Sequence, residues 1–169
     1  MPELAVAVLG PDQPGVIAAL SEVLLAGSGN LEDASMTILR GQFAMTLVVD
    51  LPSSAEAVAA DLAPVAERLG LAISVRDVPQ VEPASRGVPY VVSVHGADRP
   101  GIVHRVTAAI AGAGGNITDL TTHLSEGMYV LVAEVDLPGP VAGLEAELTT
   151  LSQELGVEAR LRPTDPDLL

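Results

Sequence analysis

Gly10-Pro11-Asp12-Gln13-Pro14-Gly15 returns 86 residues later as Gly96-Ala97-Asp98-Arg99-Pro100-Gly101, the same pattern G-x-D-x-P-G. The offset holds without a gap. Gly29-Asn30 becomes Gly115-Asn116, Asp33 becomes Asp119, and Gly41 becomes Gly127. Val49-Asp50-Leu51-Pro52 becomes Val135-Asp136-Leu137-Pro138, and Leu69-Gly70 becomes Leu155-Gly156. One register kept this long, with Gly, Pro and Asn at the bends, marks a duplicated unit. The period is that of a small domain, so the expectation is two copies: residues 1–78, a linker over 79–87, a second copy over 88–162, and a tail over 163–169.

Composition narrows the class. About half of the 169 residues are apolar, yet the chain holds only one Phe, two Tyr and no Trp, so a core must be built from Val, Leu, Ile and Ala. The lack of Cys removes disulfides, thiolate catalysis and Cys-based metal sites together. Net charge is −14, with no Lys and eight Arg. Neutralising phosphates needs clustered cations, so neither direct nucleic-acid binding nor an anionic membrane surface fits. No basic region followed by an apolar run opens the chain, and no run approaches a membrane span, which leads to the expectation of a cytoplasmic protein.

In order, Leu4–Leu9 is a continuous apolar run suited to a buried central strand. Pro14 and Gly15 then open a helix whose Val16, Ile17, Leu20, Val23 and Leu24 fall on one face, closed by Gly27-Ser28-Gly29. Asn30–Leu39 reads as a half-exposed strand, Arg40-Gly41-Gln42 as a hairpin turn, and Phe43–Leu51 as a second strand. Ser53-Ser54 can cap a second helix through Val58, Leu62, Val65 and Leu69, in which Pro64 predicts a kink or break. Leu71–Val78 completes β-α-β-β-α-β. The second copy repeats this order, with Ile102, Val103, Val106 and Ile110 on its first helix and Leu144, Leu148, Leu151 and Leu155 on its second. The fold class is therefore α+β, two ferredoxin-like units, each an antiparallel sheet with both helices on one face and the two helix-flanking strands in the middle.

The repeated turn leaves a strand and enters a helix, where unpartnered N–H groups and the positive end of the dipole favour a carboxylate. Gly15 presents no side chain, Asp12 offers an acceptor for an ammonium group, and Asn30 can donate and accept. Together these suit a zwitterionic amino acid. The plainer alternative stays open: Asp12 caps the helix, Pro14 and Gly15 shape the turn, and Asn30 holds a bend.

G-x-D-x-P-G, a helix, then G-x-N opening a strand resembles the ACT domain, a regulatory ligand-binding module. The resemblance covers Leu4–Val78 and Val91–Leu161, and a stand-alone tandem pair is similar to the glycine cleavage system transcriptional repressor family. It implies amino-acid binding at ACT–ACT interfaces, a homodimer, and regulation through a protein partner such as a transcription regulator. The ligand contacts it implies are Asp12, Gly15, Val16 and Asn30, and in the second copy Asp98, Gly101, Ile102 and Asn116. Some members carry a polar side chain at the positions of Gly10 and Gly96, and an amide at those of Asp12 and Asp98.

Other readings are weaker. His95, His104 and His123 lie only in the second copy, at a spacing that fits no standard metal motif, so neither a metal nor a cofactor is expected. Arg99 and Arg105 face Gln13 and Ala19 in the first copy, no catalytic constellation can be picked out, and an enzyme is not expected. An interaction module that binds no small molecule and assembles through its sheet edges is the alternative to a sensor.

Overall fold

The computed structural model describes residues 3–79 and 87–164. Most of the expected linker (residues 80–86) and of the expected tail (residues 165–169) lie outside the described residues. The elements are β1 (Glu3–Pro11), α1 (Val16–Ala26), β2 (Asn30–Leu39), β3 (Gln42–Asp50), α2 (Ala55–Leu69) and β4 (Ala72–Asp77), followed by β5 (Val88–Ala97), α3 (Ile102–Gly112), β6 (Asn116–Ser125), β7 (Met128–Leu137), α4 (Ala142–Leu155) and β8 (Val157–Pro163). β-α-β-β-α-β thus occurs twice. The sheets are ordered β2-β3-β1-β4 and β6-β7-β5-β8, with antiparallel pairing throughout. The strands that feed helices are central in both, as right-handed crossovers demand.

Each unit has its own aliphatic core. In the first, Leu4, Val6 and Val8 of β1 and Met45, Leu47 and Val49 of β3 pack under Leu20 and Leu24 of α1 and Val58 and Leu62 of α2. In the second, Val92, Val94, Leu131 and Val135 pack under Ile102, Val106 and Ile110 of α3 and Leu144, Leu148 and Leu151 of α4. The alternation along β3, buried at every second residue, follows from one covered and one bare sheet face. No helix among the described residues is long and apolar enough to cross a membrane.

Three expectations need correction. Ile17 and Val103 do not share the buried face: they are 46% and 39% exposed, because the covered stripe is the narrower one of Val16, Leu20 and Leu24, or Ile102, Val106 and Ile110. β2 is not half-exposed but exposed at all ten positions, since it is an edge strand beyond the cover of α1. Helix α2 runs unbroken from Ala55 to Leu69 with Pro64 inside it. Pro64 lies on the exposed side, between the buried Leu62 and Val65, so the carbonyl that loses its N–H partner can turn to water.

The glycines at the end of α1 act differently from one another. A Cβ on Gly29 would stand 2.7 Å from Leu51 Cδ1 and 2.9 Å from the Leu24 carbonyl oxygen, and one on Gly115 would stand 2.7 Å from Leu137 Cδ2, so the chain crosses its own core here. The left-handed residue before it is Ser28 in the first copy (φ 62°) and Gly114 in the second (φ 72°). A left-handed backbone costs an L residue roughly 1–2 kcal/mol, against about 0.5–1 kcal/mol for the extra chain entropy of Gly. Ser28→Gly is therefore expected to stabilise the first unit by about 0.5 kcal/mol, read as a higher urea midpoint with an unchanged slope; a fall in midpoint contradicts this account.

Candidate functional site

Helices α1 and α3 begin alike, and unlike α2. Their N-caps are Gly15 (φ 89°) and Gly101 (φ 94°), both left-handed, with no side-chain cap and no acidic residue in the first turn. Helix α2 has both: Ser54 Oγ accepts from the Ala57 N–H at 3.3 Å, and Glu56 lies in its first turn. The first helical bonds run from Ala19 and Arg105 to the carbonyls of Gly15 and Gly101, at 2.9 Å each. The N–H groups of Val16, Ile17 and Ala18, and of Ile102, Val103 and His104, precede those bonds. A Cβ added at Gly15 or Gly101 would meet nothing within 4 Å. These glycines are needed for their backbone angle and leave open space in front of the helix start.

Asp12 and Asp98 are exposed, and their side chains do not cap α1 or α3, which sets aside the capping role. Their backbones fix the loop instead. The Asp12 N–H donates to the Gly41 carbonyl at 2.9 Å, and the Asp98 N–H to the Gly127 carbonyl at 3.3 Å. The acceptors sit in two-residue hairpins, Arg40-Gly41 and Glu126-Gly127, with positive φ at both residues as a type I′ turn requires. Gly10 matters for close packing instead. Its Cβ would lie 2.7 Å from Leu71 Cδ2 and 3.0 Å from the Gly70 carbonyl oxygen, so β1 passes hard against the start of β4.

Asn30 is not beside Asp12. The register pairs Pro11 with Gln42 at one end of the sheet, and Glu3 and Asn30 with Asp50 at the other. An 11-residue helix separates the two ends, about 16 Å of rise. Asn116, opposite Asp136, is displaced from Asp98, Gly101 and Ile102 in the same way. Each unit therefore brings together the aspartate, the glycine and the helix start, and holds the asparagine at its far end. Strand order shows this; spacing along the sequence does not.

The two copies differ around the motif. Gln13 Nε2 donates to the Leu69 carbonyl at 2.7 Å and ties the loop to the C-terminus of α2. At the equivalent place the Arg99 guanidinium lies 3.7 Å from where a Cβ of Gly156 would be, at the C-terminus of α4. Arg105 is bonded to Glu154, whose hydrogen bond and charge hold its pKa above the ordinary value. An open apolar groove of about 480 Å³ runs between α1 and the sheet, lined in part by Ile17, Leu25, Leu31 and Met45, and sequence periodicity gave no sign of it. His95 and His123 share the bare sheet face while His104 sits on α3, on the opposite side of the sheet, so the three do not converge. Among the described residues no group of three or more His, Asp or Glu is placed to hold a metal ion.

A family model of the ACT domain matches residues 3–76 and again residues 89–162. The chain belongs to the ACT-domain family. Curated relatives include a UPF0237 protein of Methanopyrus kandleri, 47% identical over 51 residues, which are 30% of this chain and 57% of that protein. A UPF0237 protein of Methanocaldococcus jannaschii is 35% identical over 82 residues, 48% of this chain and 90% of that one. Among solved structures, an unknown protein from Galdieria sulphuraria superposes with a TM-score of 0.84 at 29% identity, over 97% of this chain and 99% of that one. A candidate glycine cleavage system transcriptional repressor superposes with a TM-score of 0.68 over 95% and 96% of the two chains, and at 15% identity the likeness is one of fold. The two ACT units suit a regulatory, ligand-binding role.

Proposed function

We propose that this tandem ACT protein is a non-catalytic cytoplasmic regulator that senses a small amino acid of the glycine or serine class and modulates a protein partner, such as a transcription regulator. The observation that carries the reading is that the helix starts at Gly15 and Gly101 have neither a side-chain cap nor an acidic residue in the first turn, each facing open space beside an exposed aspartate, whereas α4 is also uncapped but carries Glu145 in its first turn. The carboxylate of the ligand takes the N–H groups at Val16 or Ile102, and its ammonium takes Asp12 or Asp98. Asn30 and Asn116 belong to the same site only through a second ACT unit laid antiparallel, since each unit holds them at its far end. A ligand bridging two units in this way favours one arrangement of them, and the partner reads that shift in population.

Calorimetric titration of the purified chain with glycine, serine and other amino acids tests this. Saturable heat that Asn30→Ala or Asn116→Ala weakens is the expected result. No heat and no thermal shift for any amino acid would sink the sensor. It would favour the second reading, a ligand-independent assembly module, which draws support from the exposed edge strands β2 and β6.

A further inference from the structure

Helix α1 and strand β2 border the open groove of about 480 Å³ in the first unit. Register sets which side of β2 faces it. Leu31, Met36 and Ile38 stand opposite the buried Val49, Met45 and Phe43, so they lie on the helix side of the sheet. They are nevertheless 51%, 42% and 49% exposed, and Leu25 of α1, across the groove, is 74% exposed. Strand β2 ends its sheet beyond β3, which leaves its outer row of backbone N–H and C=O groups open to a further strand. From Val16 to Leu39 the chain holds three carboxylates, Glu22, Glu32 and Asp33, and no Arg or Lys. Glu22 lines the groove itself, and Glu32 sits in the β-bulge between Leu31 and Asp33. The second copy differs here: Ala111 and Thr122 stand for Leu25 and Met36, and Ala108 and Thr118 for Glu22 and Glu32. The bulky apolar walls and their acidic rim therefore belong to the first unit.

We propose that this groove takes an extended, cationic segment of a partner protein, added to the outer edge of β2. The proposal rests on the reading of the chain as a regulator of a protein partner, and it names where that partner docks and by what chemistry. Strand addition gives the segment's backbone the open edge of β2, and pleating sends every second side chain to the helix side. Apolar side chains at those positions fill the space between Ile17 and Leu25 on one wall and Leu31 on the other, and continue along Met36 and Ile38. Arg or Lys at the intervening positions point to the opposite side of the sheet, where Asp33 stands opposite Val48. A cation at the end of the groove meets Glu22. A second copy of this chain is the poorer occupant. It brings the same three carboxylates and a net charge of −14 to an edge with no cation to receive them.

Fluorescence anisotropy of the full chain with a labelled synthetic octapeptide, alternating valine with arginine, tests the proposal. Saturable binding of one peptide per chain is expected. Leu25→Ala combined with Met36→Thr is expected to weaken it roughly tenfold or more, and Glu22→Ala roughly threefold or more with a flatter salt dependence. These substitutions install the residues that the second copy already carries, and circular dichroism checks that the fold persists. A control peptide with every valine replaced by proline keeps the charge but cannot donate along a strand edge, and it is expected to bind roughly tenfold more weakly. No saturable binding, equal binding of the proline peptide, or an affinity indifferent to the groove variants overturns the proposal. A dimer that excludes the peptide, and that Leu25→Ala with Met36→Thr dissociates in sedimentation equilibrium, would assign the groove to a second copy instead. The titration contains no amino acid. A chain that binds glycine but not the peptide thus loses the docking groove and keeps the sensor, and the reverse result keeps the groove and sinks the sensor.

Discussion

Leu151→Ala is expected to destabilise the β5–β8 unit by about 2–5 kcal/mol, and Leu62→Ala the β1–β4 unit by a similar amount. Both leucines are 0% exposed, each on the second helix of its unit and packed on the strands beneath. Removing most of either side chain loses its transfer energy and leaves a cavity that neighbouring Val and Leu side chains fill only in part. A unit of this size has a total stability on the order of 4–11 kcal/mol, so the loss is a large fraction of it. With no aromatic side chain but Phe43 among the fully buried residues, there is little large-ring packing to absorb the change. Hydrogen exchange read by mass spectrometry separates the two cores. Leu151→Ala should speed exchange in β5, β7 and α3 while β1, β3 and α2 keep their protection. Equal loss of protection in both units would show that the cores unfold together, against the separate clusters of the structure.

Asp12→Ala and Asp98→Ala are expected to lower affinity for a zwitterionic amino acid by roughly ten- to a hundredfold, the worth of one hydrogen bond to a charged group. Both side chains are exposed and cap nothing, while their backbone N–H groups, which anchor the loop to the hairpins, survive the substitution. Stability should therefore change little, and a thermal melt beside each titration makes the distinction. A carboxylic acid that lacks the ammonium group should bind the variants and the wild type alike, because it uses only the helix N–H groups. If one substitution acts and the other does not, the responsive copy holds the working site. Affinity unchanged in both would move the ammonium away from these aspartates and remove the reason for reading the motif as an amino-acid site.

Much of the fold was legible because duplication doubles every signal. The 86-residue offset, the apolar runs at Leu4–Leu9 and Phe43–Leu51, and the four-three-four spacing of Val58, Leu62, Val65 and Leu69 describe local chain geometry, which each stretch carries by itself. The ferredoxin-like order and the central placement of β1 and β3 followed from crossover handedness. Pro64 does not break α2, because its cost depends on which side of the helix loses a hydrogen bond, and that is set by what α2 packs against. Ile17 misled because periodicity marks an apolar stripe without marking how much of it the sheet covers.

The site divides in the same way. Sequence by itself determined the two copies, their β-α-β-β-α-β order, and the loop that sets Asp12 and Gly15, or Asp98 and Gly101, at a helix start, because these are relations among neighbours along the chain. Only the tertiary structure decided that Asp12 leaves the helix uncapped, that Gly10 is held by contact with Leu71, and that Asn30 and Asn116 stand at the far end of their units. It also decided which side chains share the bare face of β5–β8. Those are relations across strands, set by register, and register is fixed by the burial of whole faces rather than by any one stretch.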